Sequence, residues 1–391
     1  MTIDLTQSQI DRARWAVYLA FVSNGFAWGT FIPRIPDVKD HFHLSNGRLG
    51  TTLLAAAVGI LLSMKPAGAL TARWGSARTL QFFTVLLAID VALIGGLFSY
   101  TWFVFTLFVL GVIMAGHDIA MNVHGTSVET ASGRSLMNGF HARFSLGSLG
   151  GAFIGGLCAQ HNLNLFIQMI CVGVVLLACL PWMSPRFLPT EYDQHDSEKK
   201  PCADRKRPHL FYALGILGFF SSVGEGSASD WGAVLLRGTW HEPPFVATIP
   251  YIAFTTAMVL GRFNGDRVTD NRNREWVVRW GGLTAGIGLA LGLIIGHPIG
   301  ISVGWLLLGL GVSIAIPSVY SAAVEIANRS FVGQVTASGA VAIVGAVSYA
   351  GFLAGPPIIG WLADVVSLRW AMLLPACMAI AMGLSARIVR A

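Results

Sequence analysis

Trp28-Gly29-Thr30-Phe31-Ile32-Pro33-Arg34 returns as Trp231-Gly232-Ala233-Val234-Leu235-Leu236-Arg237, at an offset of 203 residues in a chain of 391. Gly147/Gly151 match Gly351/Gly355 at nearly the same offset, 204. Two similarly built halves account for both matches. Hydrophobic residues make up 54% of the chain and charged residues only 12%, with a mean hydropathy of +0.63. That leaves too little polar surface to clothe a water-soluble domain, so the chain belongs in a bilayer. A spanning helix takes roughly 20 apolar residues, and this length holds about twelve spans with no room for a further domain.

Apolar runs between charged or Pro/Gly breaks place spans near 13–33, 49–71, 79–99, 102–126, 137–159 and 163–183. A second set lies near 209–233, 245–266, 276–296, 299–325, 333–363 and 369–388. The expected fold is an all-α polytopic membrane protein with a six-helix bundle at 1–183, a linker at 184–208 and a second bundle at 209–391. The linker's Pro residues and mixed charge argue against packed structure there. Lys and Arg gather in alternate connections, at Arg12/Arg14, Arg73/Arg78, Arg134, Lys199 to Arg207, Arg262 to Arg279, Arg329 and Arg387/Arg390. This bias marks the cytoplasmic side and puts both termini inside; Arg34, Lys39, Arg48, Arg237 and Arg369 are exceptions. The first apolar run is too long for a signal peptide and reads as a retained span.

The 45 glycines suit helices that approach closely in lipid. Cys158, Cys171, Cys179, Cys202 and Cys377 lack metal-ligand spacing and read as small apolar fillers, so no metal or cofactor is expected. The formal charge of +6 is scattered between apolar runs, which points to membrane topology and away from nucleic acid. No phosphate-binding GxxxxGK[ST], nucleophile elbow or HExxH occurs, so the chain does not read as an enzyme.

The loop after span two, Gly68-Ala-Leu70-Thr-Ala72-Arg73-Trp-Gly75-Ser-Ala-Arg78, is similar to the GxLaDrxGrr cytoplasmic motif of the major facilitator superfamily, with Ala72 in place of the motif's Asp. The second half carries Arg262-Phe-Asn-Gly265-Asp266-Arg267 at the matching place. The resemblance covers nearly the whole chain. It implies two pseudo-symmetric six-helix bundles, alternating access to a site between them, and a cytoplasmic gate at Gly68, Arg73, Gly75, Arg78, Asp266 and Arg267. The segments Met137 to Gly151 and Gly224 to Trp231 resemble bacterial inner-membrane permeases related to rhizopine-transport and fucose-permease-like proteins. This branch implies a small polar, sugar- or polyol-like solute. Gly147, Gly151, Gly155 and Gly156 also resemble the GxxxGPxxGG motif of drug/proton antiporters, with Ala152 for its Pro, which keeps an exporter open as the alternative.

An ionisable group inside a span costs on the order of 2.5–3.5 kcal/mol even on lenient insertion scales, so each asks for a reason. Span four carries His117, Asp118, Asn122 and His124, span five His141 and Arg143, and span seven Glu225 and Asp230. A carboxylate whose exposure alternates can load and release a proton, which nominates Asp118 and Glu225. Histidine changes charge near neutral pH, which makes His141 a relay candidate. Against this stands a permanent contact of either carboxylate with Arg143 or a polar side chain that only fixes helix packing. Helical rise puts Asn24 and Asp118 at similar depth, and pairs Asn122 with Arg143 and His124 with His141 as an inner polar cluster. Asn24, Trp28, Asn122, His141, Trp231, Tyr320 and Tyr349 offer the aromatic faces, amides and hydroxyls that a sugar-like solute needs. Trp28 and Trp231 read equally as headgroup anchors, and Asp230 as an interfacial partner of Arg237. A monomer suffices, since its two halves would enclose the site. A solute sensor without turnover is a further alternative.

Overall fold

The computed structural model of the chain describes residues 5–134, 136–192, 209–330, 335 and 337–390. The described residues fold as helices without a strand: α1 (Gln7–Phe31), α2 (Ile35–His41), α3 (Asn46–Trp74), α4 (Ser76–Gly95), α5 (Tyr100–Ser132), α6 (Met137–Gln160), α7 (Leu165–Met183), α8 (His209–Trp240), α9 (Pro244–Arg272), α10 (Arg274–Ile295), α11 (Pro298–Val312), α12 (Ala315–Ser330), α13 (Ala337–Val366), α14 (Leu368–Ala371) and α15 (Leu373–Leu384). Among the described residues, nine stretches are long and apolar enough to cross a membrane. α6 and α8, of 24 and 32 residues, have the length. They fall short in hydropathy because Ser, Gly and ionisable residues interrupt them.

Two departures from the expected spans follow from proline. The run 299–325 divides into α11 and α12 at Ser313-Ile314, four residues before Pro317. The last span divides at Met372, close before Pro375. A proline lacks the N–H that would bond the carbonyl four residues back, and its ring crowds that carbonyl. A third departure is α2, a seven-residue helix in a stretch read as a connection. Pro36 near its start and Asp37 in its first turn suit a helix N-terminus.

Contacts group the chain into two units, Met1–Arg34 with Thr52–Lys199, and Ile35–Thr51 with Lys200–Ala391. In the first unit α1 packs on α6, and α4 packs between α5 and α7. Phe21 and Phe140 stack at 5.5 Å in a core that includes Val17, Leu80 and Met121. The stripe Gly147, Gly151 and Gly155 faces the backbone of α1, where an added Cβ would strike Val22, Phe26 and Thr30. The stripe read as an antiporter-like motif is thus a packing seam. Gly151→Leu is expected to destabilise the unit by about 1–3 kcal/mol through overpacking, seen as a lower unfolding midpoint in detergent. Gly150→Leu, one residue away and facing open space, is expected to leave the midpoint unchanged.

The second unit repeats the plan. α8 packs on α13 and α9, and α10 on α11 and α15. Gly351 of α13 meets the backbone of α8 at Phe219. Trp231 and Trp305 are fully buried here. α2 and the start of α3 are held in this unit by ion pairs of Arg237 with Asp37 and, at 3.5 Å, with Asp40. Asp364 of α13 accepts from Ser45 Oγ at 2.8 Å and from the Gly47 N–H at 2.9 Å. A carboxylate from another helix thereby caps the first turn of α3.

The stretch after α7 corrects an expectation. Residues 193–208 of the linker lie outside the described residues, but Ser184–Tyr192 is packed. It makes two 3₁₀ turns, buries Leu188 and sets Phe187 and Tyr192 against the first unit's core. The surrounding polar residues masked these three apolar side chains in the composition.

Candidate functional site

In the first unit, α1 brings Asn24 into the interior, 1% exposed, with its Oδ1 lacking a hydrogen-bond partner among the described residues. One turn on, Trp28 is half-buried and lines a narrow apolar slot with Phe31, Leu87, Val91, Met114 and Met169. On α5, Asn122 Nδ2 donates to Asp118 O at 2.8 Å and to Asp118 Oδ1 at 3.0 Å. The i,i+4 spacing stacks the two side chains on one helix face. This corrects the expected Asn122–Arg143 pair, because a neighbour one turn away on the same helix satisfies Asn122 first.

Arg143 lies with its guanidinium carbon 3.9 Å from the centre of the Tyr18 ring and donates to Gly139 O at 3.1 Å. The cation–π contact gives the charge a partner that a search for acids could not find. Among the described residues of this unit, Asp118 is met by Asn122 and not by Arg143. His141 is exposed, its ring edge-on to Phe21 at 5.3 Å. His124 is fully buried and turned elsewhere: Leu188 N–H donates to its Nε2 at 3.1 Å, and its Nδ1 lies 2.6 Å from Ser76 Oγ. Because Nε2 accepts, Nδ1 carries the proton and Ser76 accepts it. The expected inner pair of His124 with His141 thus gives way to a clasp that holds the stretch after α7. His124→Ala is expected to speed backbone hydrogen exchange at 184–192 at least several-fold, read by mass spectrometry.

In the second unit, α8 presents Glu225, whose Oε1 lies 3.6 Å from Arg262 Nη2 of α9. Asp230 is met by the neighbouring Ser229 hydroxyl at 3.2 Å, while Arg237 pairs with Asp37. The expected Asp230–Arg237 pair is thereby corrected: Arg237 reaches outward to α2. Trp231 is fully buried, its Nε1 without a hydrogen-bond partner among the described residues, and is no headgroup anchor. Tyr320 lines a cavity with residues of α10 and α12. Tyr349 is 42% exposed, with its ring 6.0 Å from that of Phe352.

Arg34 and Arg369 are held, as Arg237 is, each by different partners. Arg34 is 5% exposed, donating to Gln168 Oε1 at 2.5 Å and to Leu163 O at 2.9 Å. Arg369 donates to Leu293 O and Ile294 O at the end of α10, at 2.8 and 3.0 Å. These cations serve helix ends and an ion pair, which accounts for three exceptions to the charge bias.

The loop motif is a one-residue joint between α3 and α4. Gly75 has φ +83°, and Thr190 occupies the space a side chain would need. Gly68 borders open space, and Arg73 and Arg78 are exposed without an ion pair among the described residues. Arg267 is exposed on α9; the Asp266 side chain lies outside the described residues.

A family model described as Major Facilitator Superfamily matches residues 17–338 and 228–390. The chain belongs to this superfamily. An uncharacterized MFS-type transporter of Yersinia pestis is 32% identical over 373 residues, covering 95% of this chain and 94% of that one. Membrane protein MosC of Rhizobium meliloti is 28% identical over 358 residues, covering 92% and 85%. The crystal structure of the nucleoside transporter NupG, in a mutant form, aligns with a TM-score of 0.77 at 8% identity, covering 96% of this chain and 99% of that chain, which shows the shared fold.

As a superfamily member the chain is a multi-pass transporter working on a small-molecule solute in a lipid environment. One group in this transporter escaped the sequence reading. Asp90 on α4 is 3% exposed, and its Oδ2 has no hydrogen-bond partner among the described residues. A lone acid in Leu86-Leu87-Ala88-Ile89-Asp90-Val91 was visible as an interruption, and the apolar run around it concealed it.

Proposed function

We propose that this transporter moves a small polar organic solute, sugar- or polyol-like, by alternating access, with proton movement as the driving force. The observation that carries the reading is Asn24, an amide buried among apolar helices with an unpartnered carbonyl oxygen. An acceptor left open in such surroundings costs free energy unless a hydroxyl from a ligand fills it. The half-buried Asp118–Asn122 pair on α5 adds a carboxylate and an amide from the same unit. Trp28, His141, Trp231, Tyr320 and Tyr349 complete the proposed solute contacts. Glu225 and Asp118 are the proposed proton carriers, with His141 as relay. Twelve spans result if α6, α8 and the α14–α15 pair cross alongside the nine apolar stretches. The Lys/Arg bias then sets both termini in the cytoplasm of a bacterial cell, across its inner membrane. A monomer suffices, and the proposed gate is formed by the joint at Gly75 with Gly68, Arg73 and Arg78, and by Asp266 and Arg267 toward the end of α9.

The test is thermal stabilisation of the purified protein by sugars, polyols, amino acids and lipophilic cations at two pH values. A ligand bound only to the folded state raises the midpoint by mass action. Stabilisation by a hydroxylated compound that disappears in Asn24→Ala supports the reading. Stabilisation by lipophilic cations alone contradicts it.

A further inference from the structure

α12 is sharply two-faced. Val319, Ala322, Ala323, Ile326 and Ala327 are at most 1% exposed. Tyr320, Ser321, Val324, Glu325, Asn328 and Arg329 fall on the opposite side at i, i+1, i+4, i+5, i+8 and i+9. With Arg274 from the first turn of α10, they line a cavity of about 560 Å³ within the second unit. Arg274 pairs with Glu325 Oε2, and Arg329 Nη1 lies 2.6 Å from Glu325 Oε1. One carboxylate is therefore engaged by two cations, one at each oxygen, leaving a net positive charge. The acid next along α10 is spent too, since Glu275 pairs with Arg279 at 2.6 Å and Arg390 at 3.3 Å.

The chemistry of this wall is lopsided. Each guanidinium is a fork of several N–H donors, and Glu325 engages only one nitrogen of each. Arg274 and Arg329 have no other partner among the described residues. Two guanidiniums share one carboxylate, so N–H donors and positive charge remain in excess. A neutral polyol needs donors and acceptors in balance, whereas a carboxylate or phosphate brings acceptors alone. The Ser321 hydroxyl, the Asn328 amide and the Tyr320 hydroxyl add groups that suit a hydroxylated body attached to that acid.

We propose that this cavity is a binding site for a small hydroxylated organic anion, whose carboxylate or phosphate is held between Arg274 and Arg329. The inference stands on the second unit alone and goes beyond the transport reading, because it concerns binding and not flux. The same acid-and-hydroxyl chemistry occurs free in water and on a glycerol-phosphate lipid headgroup. The proposal commits to the free solute, since of the side chains that α12 brings to the cavity only Val324 is without a polar group.

The test measures binding of gluconate and sn-glycerol 3-phosphate, with glucose as the neutral control, to detergent-purified full-length protein. Arg329 carries a side chain 75% exposed, so Arg329→Gln is expected to fold normally, which its unfolding midpoint verifies. The expected result is binding of both anions and not of glucose, weakened about tenfold in Arg329→Gln and less in Arg329→Lys, which keeps the charge and loses the fork. A parallel arm compares nanodiscs of phosphatidylcholine with nanodiscs containing phosphatidylglycerol. Equal binding of glucose and gluconate, absence of anion binding, or anion affinity unchanged in Arg329→Gln overturns the proposal. So does an Arg329-dependent stabilisation seen only with phosphatidylglycerol, which would assign the site to lipid. Loss of this site with persisting flux of a neutral solute refutes the anion site alone; absent flux with intact anion binding refutes the transport reading alone.

Discussion

Glu225→Gln is expected to reduce pH-driven solute accumulation in proteoliposomes at least about tenfold, equivalent to some 1.4 kcal/mol or more of lost driving interaction, while exchange without a gradient persists. Glu225 faces Arg262 at 3.6 Å with 28% of its side chain exposed. That separation is longer than a charge-assisted hydrogen bond of about 2.7–2.9 Å. The carboxylate is attracted but not locked, as a group that must change partners requires. Glutamine keeps the shape and cannot carry the proton. Asp118→Asn is expected to have a smaller effect, because Oδ1 accepts from Asn122, a role an amide oxygen can continue. Uptake driven by an imposed pH gradient distinguishes the two. Full accumulation in both variants removes these carboxylates from the coupling mechanism.

Arg34→Ala is expected to cost about 1.5–3 kcal/mol of stability, the range for a hydrogen-bonded charged group whose partners are left unsatisfied. The residue is 5% exposed, and its guanidinium ties the turn after α1 to Gln168 and to Leu163 O. Gln168 is itself 3% exposed and donates onward to Thr30 O at 3.0 Å, so removing Arg34 strands a buried amide. Arg237 occupies the matching position in the repeat with 29% of its side chain exposed. Solvent screens its pair with Asp37, and Arg237→Ala is expected to cost only about 0.2–1 kcal/mol. Unfolding midpoints of the two variants provide the comparison. Equal costs would show that burial does not set the difference.

The helices and their order were legible because lipid demands long apolar segments, and those segments interrupt the chain's few charges. The breaks at Ser313 and Met372 were marked by Pro317 and Pro375, which could have been read and were absorbed into apolar runs. The glycine seam on α6 was visible as spacing, and only packing could show that α1 faces it. The polar residues were harder. Depth along a helix placed Asn122 beside Arg143 and His124 beside His141, but depth ignores rotation about the axis. Asn122 turned to Asp118, Arg143 to the Tyr18 ring, and His124 to Ser76 and Leu188. The Tyr18 ring and the Leu188 backbone N–H have no sequence signature, whereas the i,i+4 spacing of Asp118 and Asn122 was there to be read. Asp90 and the Arg274–Glu325–Arg329 cluster went unnoticed for opposite reasons. The first was hidden in an apolar run, and the second was split between two helices and read as topology-setting charge.

The central claim is proton-driven transport of a polar solute. The most direct measurement is uptake into proteoliposomes of the hydroxylated compound that best stabilises the protein, with an acid-outside gradient and again without one. Accumulation above the external concentration that collapses when a protonophore is added is the predicted result. Equilibration that ignores the gradient, or movement of lipophilic cations only, contradicts it.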